Sequence, residues 1–292
     1  MKLGVSSYSF KKMTDSGETT QIGTAALAKE LGFADIEFTD LMPHNGSSEL
    51  QYAQKIKAEC ADCGIEIGSY TISADLLNGY GVTPEEEVGR IKRKLDVAAE
   101  LGTKLIRHDA TWGTKGAKYQ SFESLLPYLA DKCREITRYA KTLGIKTTVE
   151  NHGFFVQDSE RVEKLINAVD DENFGALLDM GNFLCADEDP CSAVGRLAPY
   201  TFRVHTKDFH TKSGSLPDPG KGWFTSRGGN YLRGAIIGHG DVPVMQCLKI
   251  LEKSGYCGTV AIEFEGLEHP LTGLEIGLAN LKKYLLEISD AK

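Results

Sequence analysis

Four residues that can bind a divalent metal stand at or near the ends of apolar segments in the second half of the chain: Glu150, Asp179, His205 and Glu263. The set contains no cysteine. Three carboxylates and one imidazole suit Mn²⁺, Mg²⁺, Fe²⁺ or Co²⁺ better than the Cys- and His-rich sets of structural zinc sites do. If the fold brings these side chains to one point, their types indicate a hard, oxygen-rich metal centre.

A metal held by carboxylates supports one kind of carbon chemistry. Removing a proton from a carbon next to a carbonyl group forms an enediolate, and a divalent cation stabilises its negative oxygen as a Lewis acid. A carboxylate on each face can remove a proton from one side and return it on the other, which gives epimerisation. If only one of the two carboxylates acts, or if the proton moves between neighbouring carbons, the result is isomerisation or loss of a β-hydroxyl group.

Each of these carboxylates also has a purely structural interpretation. Any one of them could form a buried ion pair with Arg107, Arg203 or Lys207. Four ligand-type residues on four successive strands argue against that interpretation for the whole set.

The elements that would position these residues alternate between helix and strand. Five apparent helices end in a glycine just before an apolar strand, as expected for the left-handed residue that ends a helix: Gly32, Gly64, Gly102, Gly144 and Gly255. Eight strands are predicted, near residues 3–8, 34–38, 65–70, 104–108, 145–150, 175–179, 201–206 and 259–264.

Eight strand–helix units predict an α/β fold, a single-domain (β/α)₈ TIM barrel over residues 1–292. An open doubly wound sheet is the leading alternative. It is less favoured because no GxGxxG follows the first strand and no change in composition marks a second domain. In a barrel, the side chains at the carboxyl ends of the strands face the active site.

Composition and charge narrow the class of partner. A net charge of −8 and a pI near 5.5 disfavour nucleic acid. No segment approaches the roughly 20 apolar residues of a membrane span, and the amino terminus has no signal-peptide pattern, which predicts a cytoplasmic protein. Seven cysteines without an export signal argue against a disulfide framework, and the one CxxC pair, Cys60 and Cys63, falls at the end of a helix predicted over 49–63.

Further polar residues near the predicted strand ends are candidates for binding substrate. Glu37 and His108 face the same barrel mouth and could bind hydroxyl groups, or could be solvated loop residues. His152 follows the first glutamate closely and could contact substrate or support the metal ligands. Lys207 could contact substrate, or pair with Asp208 to support the metal centre.

One connection is far longer than its neighbours. Residues 211–241 separate the seventh strand from its helix, whereas such connections usually have about 2–6 residues. Long loops at this face of a barrel commonly act as lids or binding surfaces. Trp223 could stack on a sugar or aglycone, and Arg227 could meet a phosphate or carboxylate; a solvated insertion with its own small hydrophobic cluster is the alternative.

The motifs TVENHG, LLDMGN, FRVHTKD and VAIEFEG, in this order and spacing, resemble those of the sugar phosphate isomerase/epimerase family, the xylose-isomerase-like TIM barrels. The resemblance runs from the first strand to the last helix. It implies one divalent metal held by Glu150, Asp179, His205 and Glu263, with both glutamates exchanging protons with the substrate. Mn²⁺ is the favoured ion, and Mg²⁺, Co²⁺, Fe²⁺ and Zn²⁺ are alternatives.

Departures from the family pattern restrict the choice of branch. Ketose 3-epimerases often have a substrate-binding histidine where this chain has Asn182, which we also count as a candidate for substrate binding, and an arginine where it has Thr211. The DNA-repair endonucleases of the superfamily need more histidine ligands than this chain supplies.

The expectation is a metal-dependent isomerase or epimerase of a small sugar, keto-sugar or polyol derivative. Its partner would be a small carbohydrate, without nucleic acid or membrane, and homo-oligomer formation stays open. Two alternatives remain. One is a lyase or dehydratase acting on a keto-sugar or keto-inositol, similar to inosose dehydratase or cleaving a keto-glycoside. The other is a non-catalytic binding protein, which the complete ligand set argues against.

Overall fold

Eight parallel strands close into a barrel in the computed structural model, which describes residues 1–44, 46–114 and 121–290. Around the ring the strands follow the order β1-β11-β7-β6-β5-β4-β3-β2. Their bounds are β1 Lys2–Ser6, β2 Asp35–Thr39, β3 Glu66–Ile72, β4 Leu105–His108, β5 Lys146–Glu150, β6 Phe174–Asp179, β7 Thr201–Thr206 and β11 Thr259–Ile262. The predicted (β/α)₈ barrel is confirmed, and all eight strands lie where the sequence places them.

Helices cover the outside of the barrel. They are α1 Lys11–Ser16, α2 Thr24–Leu31, α3 Glu49–Cys63, α4 Pro84–Leu101, α5 Phe122–Thr142, α6 Ser159–Val169, α7 Pro190–Leu197, α8 Val244–Lys253 and α9 Pro270–Asp290. The five glycines predicted to end helices all have positive φ, between 65° and 93°. Helix α3 has the predicted bounds, and Cys60 and Cys63 at its end are both free cysteines.

A buried ion pair lies inside the barrel, toward the amino-terminal ends of the strands. Arg203 Nη2 donates to Asp35 Oδ1 at 2.8 Å, and both side chains are almost fully buried. Two glycines on β1 and β3, the strands on either side of β2, make room for the pair. A Cβ on Gly4 would lie 2.2 Å from Asp35 Oδ1, and one on Gly68 would lie 2.3 Å from Asp35 Oδ2. Pairing offsets the large cost of burying two charges.

The long connection at 211–241 contains regular secondary structure. Part of it folds with the preceding residues into a three-stranded antiparallel sheet, ordered β8-β10-β9, from β8 Asp208–Lys212, β9 Phe224–Thr225 and β10 Tyr231–Ala235. Asp208 anchors the return of the chain, because its carboxylate accepts backbone N–H groups of Gly238, Gly240 and Val242. We refer to residues 208–235 as the β8–β10 sheet.

In the described ranges, no helix is long and apolar enough to cross a membrane.

Candidate active site

The four predicted metal ligands meet at the carboxyl end of the barrel. Glu150 ends β5, Asp179 ends β6, His205 lies near the end of β7 and Glu263 follows β11, and these strands are neighbours in the ring. Each residue is buried and offers one ligand atom, and the four atoms lie within 4.8 Å of one another. The structure therefore brings together all four members of the predicted set.

The hydrogen bonds around this cluster fit a bound cation. His205 Nδ1 is buried and has no hydrogen-bond partner among the described residues, whereas Asp179 Oδ2 has an ion-pair partner, the Lys207 ammonium at 3.3 Å, and no hydrogen bond there. His205 Nδ1 lies 3.7 Å from a Glu263 oxygen, 3.9 Å from a Glu150 oxygen and 4.0 Å from Asp179 Oδ2. A buried polar atom without a partner is costly, and a metal ion among these atoms would satisfy His205 Nδ1. Zinc, manganese and magnesium all accept such nitrogen and carboxylate ligands.

Glu37 orients the imidazole for that role. His205 Nε2 lies 2.9 Å from Glu37 Oε1, so the Nε2 proton is donated there and Nδ1 faces the carboxylates, where it can bind a metal once its own proton is lost. Burial alone would raise the pKa of Glu37, but His205 and Arg203 hold it well below its usual range. Glu37 and the predicted substrate residue His108 are both fully buried and lie outside the cavity lining described below. The structure thus places Glu37 behind the predicted ligand His205, and the Nδ1 atom of His108 against the Asp109 carbonyl.

The two glutamates of the cluster have different partners. Glu150 Oε2 lies 2.6 Å from Arg107 Nε, whereas Glu263 Oε2 lies 2.6 Å from Lys207 Nζ. Burial raises the pKa of Glu150, and Arg107 offsets this only partly. Burial acts in the same direction on Glu263, but Lys207 and His205 outweigh it and lower its pKa. Two carboxylates whose pKa values are pushed apart are the usual sign of an acid–base pair.

Lys207 connects the four-residue cluster to Glu265 and Asn182. Its ammonium group lies 3.3 Å from Asp179 Oδ2 in the cluster and 3.1 Å from Glu265 Oε1 outside it. It also donates to the side-chain oxygen of the predicted substrate residue Asn182 at 3.2 Å, and the amide nitrogen of Asn182 donates to Glu150 at 3.0 Å. Glu265 was not among the residues predicted for the site. Its spacing of two from Glu263 was the available signal, since alternate residues of an extended segment point to one side.

His152 pairs with the buried carboxylate of Asp109. Its Nδ1 lies 2.8 Å from Asp109 Oδ1, an oxygen that also accepts from Arg107. Burial alone would lower the pKa of His152, but Asp109 raises it by more. Trp112 packs edge-on against the imidazole ring, with 5.1 Å between ring centroids. The imidazole is therefore held on one side by Asp109 and on another by Trp112.

A cavity of about 380 Å³ opens beside the cluster. Its charged inner wall contains both glutamates of the cluster and three of their neighbours: Arg107, Glu150, His152, Lys207 and Glu263. The other wall comes from the ends of β1, β2 and β3. Both glutamates can therefore reach a small molecule bound in this cavity.

The model of the xylose isomerase-like TIM barrel family matches residues 25–284. The chain belongs to this family. Among its curated relatives, an inosose dehydratase of Clostridium perfringens is 26% identical over 180 residues, which are 58% of this chain and 57% of that protein. The chain thus spans little more than half the length of that relative.

Solved structures share the fold of this family member at low sequence identity. A xylose isomerase-like TIM barrel protein from Mycobacterium smegmatis, in complex with magnesium, is similar with a TM-score of 0.71 at 19% identity, over 92% of this chain and 89% of that one. The 3-keto-D-glucoside 4-epimerase from E. coli is similar with a TM-score of 0.70 at 16% identity, over 97% and 99%.

Two residues predicted to bind substrate from the 211–241 segment lie elsewhere in this xylose isomerase-like barrel. Trp223 packs between two cations, 5.2 Å from Lys212 Nζ and 5.1 Å from the Arg233 guanidinium carbon. Arg227 Nη1 donates to Asp158 at 3.1 Å. Neither residue is among the described residues that line the cavity. Trp223 is therefore engaged in cation–π contacts and Arg227 in an ion pair within the protein, and not in the cavity where a ligand would bind.

Arg227 instead connects the β8–β10 sheet to the turn that carries His152. Its Nη2 donates to the Phe154 carbonyl at 2.5 Å, and its backbone N–H donates to the Cys185 carbonyl at 2.8 Å. Phe154 has a φ of 65°, a left-handed backbone that costs about 1–2 kcal/mol for a residue with a side chain. The sheet thus stabilises the segments that follow β5 and β6.

Arg227→Met should lower the free energy of unfolding by about 1 kcal/mol, because it removes the charged donor to Phe154 and Asp158 while keeping the aliphatic stem. Urea denaturation followed by circular dichroism measures the change. Arg93→Met, at an exposed arginine of α4, is the control and should change the value by less than about 0.5 kcal/mol. Equal losses in the two variants would mean that the Arg227 contacts add no stability.

Proposed function

We propose that this chain is a divalent-metal-dependent isomerase or epimerase of a small sugar, keto-sugar or polyol derivative. The observation that carries the proposal is the position of Glu150 and Glu263, which belong to one metal-type cluster and line one cavity. Their pKa values are shifted in opposite directions. Such a pair can hold a proton on one carboxylate while the other is free to accept one.

Proton transfer follows from these positions. One glutamate removes a proton from the carbon next to the substrate carbonyl, and the other returns a proton to the opposite face or to the neighbouring carbon. The metal, when bound, supplies a Lewis acid for the negative oxygen that forms. The three carboxylates favour Mn²⁺, with Mg²⁺, Co²⁺, Fe²⁺ and Zn²⁺ as alternatives.

Lys207 and His152 complete the charge balance around the substrate. Burial alone would lower the pKa of Lys207, but Asp179 and Glu263 raise it well above its usual value, so the side chain stays an ammonium ion. Both residues line the cavity and can donate hydrogen bonds to substrate oxygens.

A dehydratase is the second candidate, and the same two donors favour it. When a glutamate takes the proton from carbon, a β-hydroxyl group can leave as water only if a neighbouring group supplies a proton. His152 lies in the same cavity wall, and Asp109 raises its pKa, so it can supply the proton while Lys207 donates a hydrogen bond to the leaving oxygen. The relationship to an inosose dehydratase agrees with this candidate.

Nuclear magnetic resonance in D₂O tests the proposal and separates the two candidates. The protein is first stripped of metal with EDTA and then loaded with Mg²⁺, which avoids paramagnetic broadening. It is incubated with a panel of keto-sugars and keto-inositols. We expect one carbon-bound proton to be replaced by deuterium as an epimer or isomer of unchanged composition appears. A product that has lost one water identifies the dehydratase. If no member of the panel exchanges a proton with Mg²⁺, Mn²⁺ or Co²⁺, with mass spectrometry as the readout for the paramagnetic ions, the proposal is wrong.

A further inference from the structure

The wall of the cavity away from the four-residue cluster carries large exposed side chains among polar ones. Four large side chains on it are between 38% and 52% exposed: Tyr8, Met42, Tyr80 and Trp112. They come from the segments after β1, β2, β3 and β4, which form the half of the barrel without metal-type ligands. We call these four residues the apolar rim. An exposed apolar patch beside a charged pocket is typical of a binding surface.

Two aromatic rings of the apolar rim are held in place although they are exposed. Trp112 Nε1 donates to the Ala74 carbonyl at 3.0 Å, and its ring packs edge-on against His152. The backbone N–H of Tyr80 donates to Glu87, and its ring lies 5.3 Å from the Arg90 guanidinium carbon. Because these contacts fix the rings before a ligand arrives, stacking on them costs little conformational entropy.

The charges in the cavity disfavour a phosphate group as the occupant of the rim. Among the described residues, the lysines and arginines that line the cavity are each paired with a carboxylate at 2.6 Å: Lys11 with Asp15, Arg107 with Asp109 and Glu150, and Lys207 with Glu263. The same lining contains the carboxylates of Asp40 and Glu265. A phosphate on the rim, away from any cation bound at the four-residue cluster, would have to displace one of these partners.

We propose that the apolar rim is a second subsite that binds the uncharged aromatic aglycone of a glycoside substrate. The sugar ring of that substrate would occupy the charged part of the cavity beside Glu150 and Glu263. This inference rests on the proposed function for the position of the sugar, and it adds that the substrate is an aryl glycoside of a keto-sugar, whose ring carbonyl makes the neighbouring carbon acidic, and not a free sugar or a sugar phosphate.

Isothermal titration calorimetry on the Mn²⁺-loaded protein tests the subsite without requiring turnover. The probes are phenyl β-D-glucopyranoside, methyl β-D-glucopyranoside, cellobiose and glucose 6-phosphate. We expect phenyl glucoside to bind at least about tenfold more tightly than methyl glucoside, because only the former places a ring on the rim. Trp112→Ala and, independently, Tyr80→Ala should each remove most of that preference.

Trp223→Ala is the matched control, since Trp223 is an aromatic residue outside the cavity lining, and the preference should persist in it. Tighter binding of glucose 6-phosphate or cellobiose than of phenyl glucoside overturns the assignment. So does the absence of any preference, including no binding of any probe, or a preference that survives both rim variants. A rim-dependent preference for phenyl glucoside in a protein that exchanges no substrate proton in D₂O would overturn the proposed function alone.

Discussion

Glu150→Gln and Glu263→Gln should each lower kcat by at least about 10²-fold, the scale usual for a positioned acid–base group. Each variant should still hold most of the metal, because an amide oxygen can coordinate where the carboxylate did. Both effects are expected because each glutamate belongs to the four-residue cluster and also lines the cavity where the substrate would bind. Turnover and elemental analysis of the same preparations measure the two effects.

Glu265→Gln is the control for this experiment. Glu265 is a carboxylate of the same cavity and contacts the same Lys207, but it is not a member of the ligand cluster. We expect it to lose less activity than Glu263→Gln does. Exchange in D₂O then assigns the roles, since a variant that no longer exchanges the carbon-bound proton lacks the residue that removes it. If both glutamine variants exchange and turn over normally, neither glutamate is a base.

Asp179→Ala and His205→Ala should reduce bound metal from about one ion per chain to a small fraction of that, since each removes one of four ligands. Asp179→Asn is the comparison, because its amide oxygen can still coordinate, and it should keep more metal than Asp179→Ala. Inductively coupled plasma mass spectrometry after dialysis against Mn²⁺ measures the content, and EDTA should empty the wild-type protein. Unchanged metal content in both alanine variants would show that the ion, if any, lies elsewhere.

The same site should bind metal more tightly as pH rises. Burial alone would lower the pKa of His205, but Glu37 and Glu263 raise it to about 9 in the metal-free protein. The imidazole is therefore protonated at neutral pH, and a metal that binds Nδ1 must displace one proton. Below about pH 9 the apparent affinity should increase about tenfold per pH unit, as measured by competition with a chelator of known affinity. An affinity that does not change between pH 6 and pH 8 would show that no proton is displaced from His205 in this range, and would contradict the raised pKa on which the expectation rests.

The sequence by itself was sufficient for the barrel and for the composition of the metal cluster. Alternating apolar residues and helix-ending glycines are local signals, and the bounds of α3 and the positions of all eight strands follow from them. Parallel strands in chain order bring their carboxyl ends to one rim, so residues that end neighbouring strands must meet. That rule alone predicted that Glu150, Asp179, His205 and Glu263 lie together, as the structure shows.

Only the tertiary structure decided what the other polar residues contact. Glu37 supports His205 across 168 residues of sequence, and Arg227 reaches Phe154 across 73. The segment around Trp223 and Arg227 has no strong periodicity, so nothing local shows whether a side chain points to the cavity or to another loop. An exposed side chain takes the partner that best offsets the loss of its hydration and rotamer freedom. Which partner is available depends on how distant segments pack, and that information exists only once the barrel has closed.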